Sequence, residues 1–162
     1  MVLFELGFLK SGMVFYEKTF YKILNLNKMS DATKGQFFDA FFNLIESSTE
    51  DTVSTMKFKK YNIVFKQFIQ NIPNYPTPVK YLIYAIGDPR MDVTQASLLL
   101  AEIVEYYKNN YASNTDPKVV EEIPENSEFD KKVSEIIGDF YSTAIERMMH
   151  LFFSSDKKTK ND

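Results

Sequence analysis

The sequence predicts an α+β fold: a five-stranded antiparallel sheet with three helices, in the order β-β-α-β-β-β-α-α. Three observations lead there. Two pairs of aromatic and aliphatic runs stand close together around short polar turns, as the strands of a hairpin do. Three longer stretches repeat apolar residues at spacings of three and four, the period of a helix with one buried face. The chain has 162 residues, 44% hydrophobic and 25% charged, with 15 Phe and 10 Tyr. A chain of this length buries roughly two thirds of the surface its unfolded form exposes, enough for one core without covalent staples.

Val2 to Lys10 and Met13 to Tyr21 are rich in Phe, Tyr, Val and Leu and flank Ser11-Gly12. Glycine tolerates the positive φ that a two-residue turn needs, so the chain opens with a hairpin. Ser30 or Asp31 can then cap a helix reaching about Ser48, with Phe37, Phe38, Phe41, Phe42 and Ile45 on one wide apolar stripe. Val53 to Lys59 and Tyr61 to Ile69 read as a second hairpin. Met56, Phe58, Ile63 and Phe65 alternate there with Lys57, Lys59, Asn62 and Lys66, which predicts one buried and one wet face. After a proline-studded loop, Val79 to Ile86 is a nearly continuous apolar strand suited to the sheet centre, ended by Gly87-Asp88-Pro89.

Asp92 can cap a second helix whose apolar face is Ala96, Leu99, Leu100, Ile103, Val104 and Tyr107. A polar connector with Asp116-Pro117 and Pro124 follows. From Ser127 one long helix is expected to carry Phe129, Val133, Ile136, Ile137, Phe140, Ala144, Ile145, Met148 and Phe152 on one stripe. The organisation expected is a single domain over residues 1–153 and a flexible polar tail over 154–162.

Composition narrows the function. A net charge of −3 argues against general nucleic-acid binding, which needs a surplus of Lys and Arg on one face. The chain has no cysteine, so neither disulfides nor thiolate chemistry is available. Met1 to Leu9 is interrupted by Glu5 and lacks a basic start, unlike a secretory leader, and no run approaches the ~20 apolar residues of a membrane span. A cytoplasmic protein with at most peripheral membrane association is expected.

Catalytic groups are sparse. His150 is the lone histidine, without a residue in sequence to orient its ring as a general base. Gly7, Gly12, Gly35, Gly87 and Gly138 are scattered singly, so no phosphate-cradling loop is present. Glu102 with Glu105 reads as a solvated helix face, and Asp88, Arg90 and Asp92 read as turn and cap chemistry before they read as a metal or catalytic site. Met148-Met149 sits at core spacing. No catalytic residue, metal or cofactor is expected.

Two features point to a binding surface instead. The first is the phenylalanine stripe of the first helix, Phe37, Phe38, Phe41 and Phe42, which sits at core spacing and reads as core before it reads as a binding groove, beside the adjoining strand of the sheet edge. The second is Lys57, Lys59, Lys60 and Lys66 on the second hairpin, with no acid between Val53 and Gln70, while Asp116 to Asp139 holds eight acids against three lysines. The plain account of the lysines is protection of an exposed edge strand, and the functional one is a landing site for an acidic partner or anionic lipid.

The element order resembles the longin fold of the SNARE-like superfamily over about residues 1–153. Val2-Leu3-Phe4-Glu5-Leu6 through Phe15-Tyr16 resembles that family's opening hairpin. Tyr61-Asn62-Ile63-Val64-Phe65 and Tyr81-Leu82-Ile83-Tyr84-Ala85 resemble its fourth and fifth strands, and Leu98-Leu99-Leu100-Ala101-Glu102-Ile103 its second helix. The resemblance implies a non-enzymatic adaptor or subunit in small-GTPase regulation or vesicle trafficking. Its partner would be a small GTPase or another longin or roadblock domain, with a homodimer as one form. The chain departs from longin SNAREs in lacking a heptad-bearing coiled-coil segment and a membrane anchor, which argues against a fusion role. It also lacks the initial helix typical of roadblock proteins. The competing expectation is a sensory domain of the PAS or profilin-like kind, which also covers an antiparallel sheet with helices and can enclose a small ligand.

Overall fold

Ser11 and Gly12 both adopt positive φ, +49° and +76°, the two-residue geometry whose twist matches that of the flanking strands. It joins β1 (Leu3–Lys10) to β2 (Met13–Thr19) with Lys10 opposite Met13. The computed structural model describes residues 2–21, 30–49, 52–71, 76–112 and 123–141. Within them the elements run β1, β2, α1 (Asp31–Thr49), β3 (Thr55–Lys57), β4 (Asn62–Gln70), β5 (Val79–Gly87), α2 (Val93–Asn110), α3 (Glu128–Ile137) and a 3-10 turn over Gly138–Tyr141. The fold is therefore the α+β order read from the sequence.

The strands form one antiparallel sheet in the order β2-β1-β5-β4-β3. The apolar run of β5 lies between β1 and β4, at the centre, where every ladder group is paired and both faces can be covered. Helix starts follow local chemistry. Ser30 Oγ accepts from the Thr33 amide at 3.2 Å, Asp92 Oδ1 from the Gln95 amide at 3.0 Å, and Ser127 Oγ from the Asp130 amide at 3.2 Å, each satisfying an amide the helix itself leaves unpaired.

The two faces of the sheet are covered by different elements. On one, Leu6, Phe8, Val64, Phe68, Tyr81, Ile83 and Ala85 pack with Leu100, Ile103 and Tyr107 of α2 and Phe129 and Val133 of α3. On the other, Leu9, Ile63, Phe65, Leu82, Tyr84 and Ile86 pack with Phe38 and Phe42 of α1. Of the residues expected on the wet face of the second hairpin, Lys57, Lys59 and Lys66 are exposed, whereas Asn62 is buried and donates to the Pro89 carbonyl at 3.2 Å. Val64 and Phe68 are core residues of the α2–α3 side, because the helices after β5 turn back over that face.

The third helix also differs from its reading. It ends at Ile137, and Gly138 at φ +50° leads into the 3-10 turn, although Phe140 remains buried. The apolar stripe repeats through this point, but periodicity does not register a break in backbone conformation. The part of that stripe beyond Tyr141, including His150 and Met148-Met149, lies outside the described residues. So do most of the connector and the tail over 154–162.

Candidate partner-docking surface

Helix α1 has more apolar side chains than its side of the sheet can receive. Phe38 and Phe42, one turn apart, are buried against Phe65, with ring centroids at 5.4 and 4.9 Å. Phe41 is half-buried at the margin of this cluster. Phe37 and Leu44 face outward, 52% and 62% exposed. The stripe expected as one surface is therefore split: Phe38 and Phe42 hold the helix down, and Phe37 with Phe41 forms a stacked pair at its outer shoulder.

A cleft of about 230 Å³ opens between this shoulder and the β3–β4 hairpin. Phe37 and Phe38 line one wall, Met56, Phe58, Tyr61 and Ile63 the other, with Ile86 and the stem of Lys34 contributing. Phe58 is 42% exposed, and its ring lies 4.8 Å from that of Tyr61 across the tight turn closed by the Phe58 amide on the Tyr61 carbonyl at 2.9 Å. Lys57, Lys59 and Lys60 are exposed around this turn. The structure thus brings Phe37 and Phe38 into one cleft beside the lysine-bearing turn, while Phe42 belongs to the core. Sequence reasoning missed Met56, Phe58 and Tyr61 as the opposing wall. The available signal was an aromatic at each end of a Lys-Lys turn.

Beneath the cleft lies a polar cluster unusual for such a depth. Lys34 Nζ donates to Glu5 Oε1 at 2.9 Å and to Glu17 Oε2 at 2.6 Å, and the Tyr84 hydroxyl donates to Glu5 Oε1 at 2.8 Å. The Lys34 and Glu5 side chains are only 5% and 2% exposed. Burial pulls the Lys34 pKa down, but its hydrogen bonds to Glu17 and Glu5 outweigh it and the ammonium is held charged above its ordinary range. Glu17 is pushed up from its ordinary value, first by burial and then by the negative Glu5 and Asp31, against the pull of Lys34. Burial raises the Tyr84 hydroxyl well above its usual value, reinforced by the Glu5 carboxylate. Two carboxylates share one ammonium, so the cluster carries surplus negative charge. Gly7 makes room for it, since a Cβ there would collide with the Tyr84 ring.

The other candidate groups serve the fold. Asp88 Oδ1 accepts from the Arg90 amide at 3.0 Å, and Asp92 is the α2 cap. Glu105 pairs with Lys108 on the exposed face of α2. Among the described residues no cluster of three metal-ligating side chains occurs. Comparison with known proteins adds no relative: no protein-family model matches the chain, and no curated protein matches it significantly. No helix among the described residues is long and apolar enough to cross a membrane.

Proposed function

We propose that this domain is a non-enzymatic protein-interaction module that docks a partner on α1 and the β3 edge, serving as an adaptor or subunit. The longin-like resemblance directs the proposal toward small-GTPase regulation or vesicle trafficking, with a small GTPase or a related domain as partner. The observation that carries the reading is the open cleft. Phe37 and Phe58 stand solvent-exposed on its two walls and Leu44 extends the apolar surface along α1, whereas scattered single apolar residues would need no explanation. A protein partner placing an apolar side chain between Phe37 and Phe58 would bury both and remove the cost of their hydration. The element order, hairpin, helix, three-strand meander and two helices, supports the same reading.

The ligand-sensing alternative finds less support. Both sheet faces are filled by side chains, and the α1 cleft is smaller than the ~300–1,000 Å³ of typical small-molecule pockets; a hollow of about 390 Å³ beside β2 is within that range, but Glu17, Asp31 and Glu125 contribute to its lining in place of the mostly apolar wall such pockets have. The test uses a photo-crosslinking residue at Phe37 or Phe58, with Leu98 on the exposed surface of α2 as control. Crosslinks are collected in extract loaded with GTP or GDP analogues. A protein captured from Phe37 and Phe58 but not from Leu98 is expected. Equal labelling from all three positions would count against the docking surface, and labelling indifferent to nucleotide would count against the GTPase link.

A further inference from the structure

The β3 edge has two chemically different sides. The Phe65 amide bonds the Ser54 carbonyl, and the Phe58 amide bonds the Tyr61 carbonyl, each at 2.9 Å. In an antiparallel ladder alternate residues turn their backbone groups to opposite sides, so the N–H and C=O of Thr55 and Lys57 point away from β4. Among the described strands β3 is last in the sheet and pairs with β4 alone. The Met56 side chain goes to the α1 face, where it lines the cleft. Lys57 goes to the opposite face, and so does Lys66, which lies between Val64 and Phe68 of the α2–α3 core at the two-residue spacing of one strand face.

Among the described residues no carboxylate neutralises the charge on that side. Lys18, Lys34, Lys80, Lys108 and Lys132 each have a carboxylate oxygen within 3.0 Å. Lys57, Lys59, Lys60 and Lys66 are exposed, no ion pair reaches them among the described residues, and residues 52–71 contain no acid. Lysines on an edge strand do guard against indiscriminate pairing. Guarding alone does not require an open apolar cleft on the other side of the same strand.

Resting on the docking reading above, we propose that β3 receives an extended segment of a partner protein in which apolar and acidic residues alternate. Its backbone pairs with Thr55 and Lys57, its apolar side chains fall beside Met56 at the cleft, and its carboxylates face Lys57 and Lys66. Strand addition of this kind takes affinity from the main chain and selectivity from alternate side chains. A second copy of this chain is the poorer occupant. Antiparallel pairing of two β3 strands would gather both sets of Lys57 and Lys66 on one face with no acid between them, and like charges across a ladder are destabilising.

The test uses a ten-residue peptide of alternating valine and glutamate, with valine–lysine and serine–glutamate peptides as controls. Fluorescence anisotropy should show the valine–glutamate peptide binding at least about tenfold more tightly than either control, and its binding should weaken as salt is raised. The Thr55 and Lys57 amides should gain exchange protection. Lys57→Glu with Lys66→Glu should cost about tenfold in affinity. Thr55→Pro, which removes only an outward donor, should abolish binding without lowering the melting temperature. Equal binding of all peptides, unchanged exchange at Thr55 and Lys57, or a dimer through β3 by sedimentation would overturn the proposal. If the peptide fails while Phe37 and Phe58 still crosslink a specific protein, strand pairing falls and the docking reading stands.

Discussion

The two faces of the sheet are held to their helices by different means. On the α2–α3 side the contact is mostly apolar, with Phe8 at the hub of a ring network reaching Phe15, Phe68, Tyr81, Tyr107 and Phe129. Polar groups enter it singly: Asp130 of α3 accepts from Tyr16 and Lys18 of β2, at 2.8 and 2.7 Å, the Gln70 side-chain amide donates to the Ala112 carbonyl at 2.7 Å, and Lys10, opposite Tyr81, is buried. On the α1 side the apolar contact is narrower, Phe38 and Phe42 supply most of it, and the buried Glu5–Lys34–Glu17–Tyr84 cluster fastens the first half of the helix to β1, β2 and β5. A face filled by rings has little left to offer a partner. A face closed by charge pairing leaves its surplus phenylalanines outside, and these form the candidate docking surface.

The largest effects should appear where each attachment is cut. Lys34→Met leaves the Glu5 carboxylate buried without its cation and should cost about 3–5 kcal/mol in urea unfolding. Adding Glu5→Gln should recover part of that loss. On the other face, Phe8→Ala should cost a comparable amount, about 3–5 kcal/mol, through its cavity. The two should differ in amide exchange: Lys34→Met should release α1 at lower denaturant than α2, and simultaneous release would erase the contrast between the faces.

Asp130 should matter less, because its charge is nearer the surface. Burial pushes its carboxyl up, but hydrogen bonds from Lys18, Tyr16 and the Asn126 amide together outweigh it and hold the carboxyl below the usual range. Asp130→Ala should cost about 2 kcal/mol. The folded pKa is the lower one, so Asp130's contribution is complete above the unfolded aspartate value of about 3.9 and disappears as pH falls through the depressed native value. Glu17 runs oppositely. Its raised native pKa means that the fold binds this proton more tightly than the unfolded chain does, so stability declines as pH rises from the ordinary glutamate range through the raised value. Glu17→Gln should flatten that part of the profile, and an unchanged profile would locate the surplus charge elsewhere in the cluster.

The smallest effects separate surface from core on each side. Phe37→Ala should change stability by no more than about 0.5 kcal/mol while weakening partner capture. A large stability loss would make Phe37 a structural residue. Tyr81 is fully buried in the ring network, and its hydroxyl has no hydrogen-bond partner among the described residues. Tyr81→Phe should therefore be neutral or stabilising by up to about 1 kcal/mol, a gain that comes from no longer burying an unpaired hydroxyl.

Part of the candidate site is legible in the sequence. Phe37 and Phe38 are among the expected binding residues, and both line the cleft; Lys57, Lys59 and Lys60 stand exposed as a basic edge requires. Phe42 has the same sequence credentials as Phe37 yet is core, because the helix rotation is set by the sheet beneath it. Phe58 and Tyr61 read as ordinary strand-end aromatics, and it is the turn between them that places both opposite α1. Glu5 and Lys34 look like isolated polar positions in apolar or mixed surroundings, and 29 residues separate the two partners.

Sequence alone determined the order of the elements, the two-residue turn at Ser11-Gly12, a first-helix cap at Ser30 or Asp31, the cap at Asp92, the start of the third helix at Ser127, and the central character of β5. These depend on backbone preferences and periodicities confined to a few neighbouring residues. Only the tertiary structure decided that both faces of the sheet are covered, that Lys34 meets Glu5, Glu17 and, through Glu5, Tyr84, and that one wall of a cleft comes from α1 and the other from the β3–β4 hairpin. Those outcomes depend on which distant side chains share a volume and a charge, and the Tyr84 hydroxyl reaches Glu5 across 79 residues of chain. No local pattern encodes such a meeting.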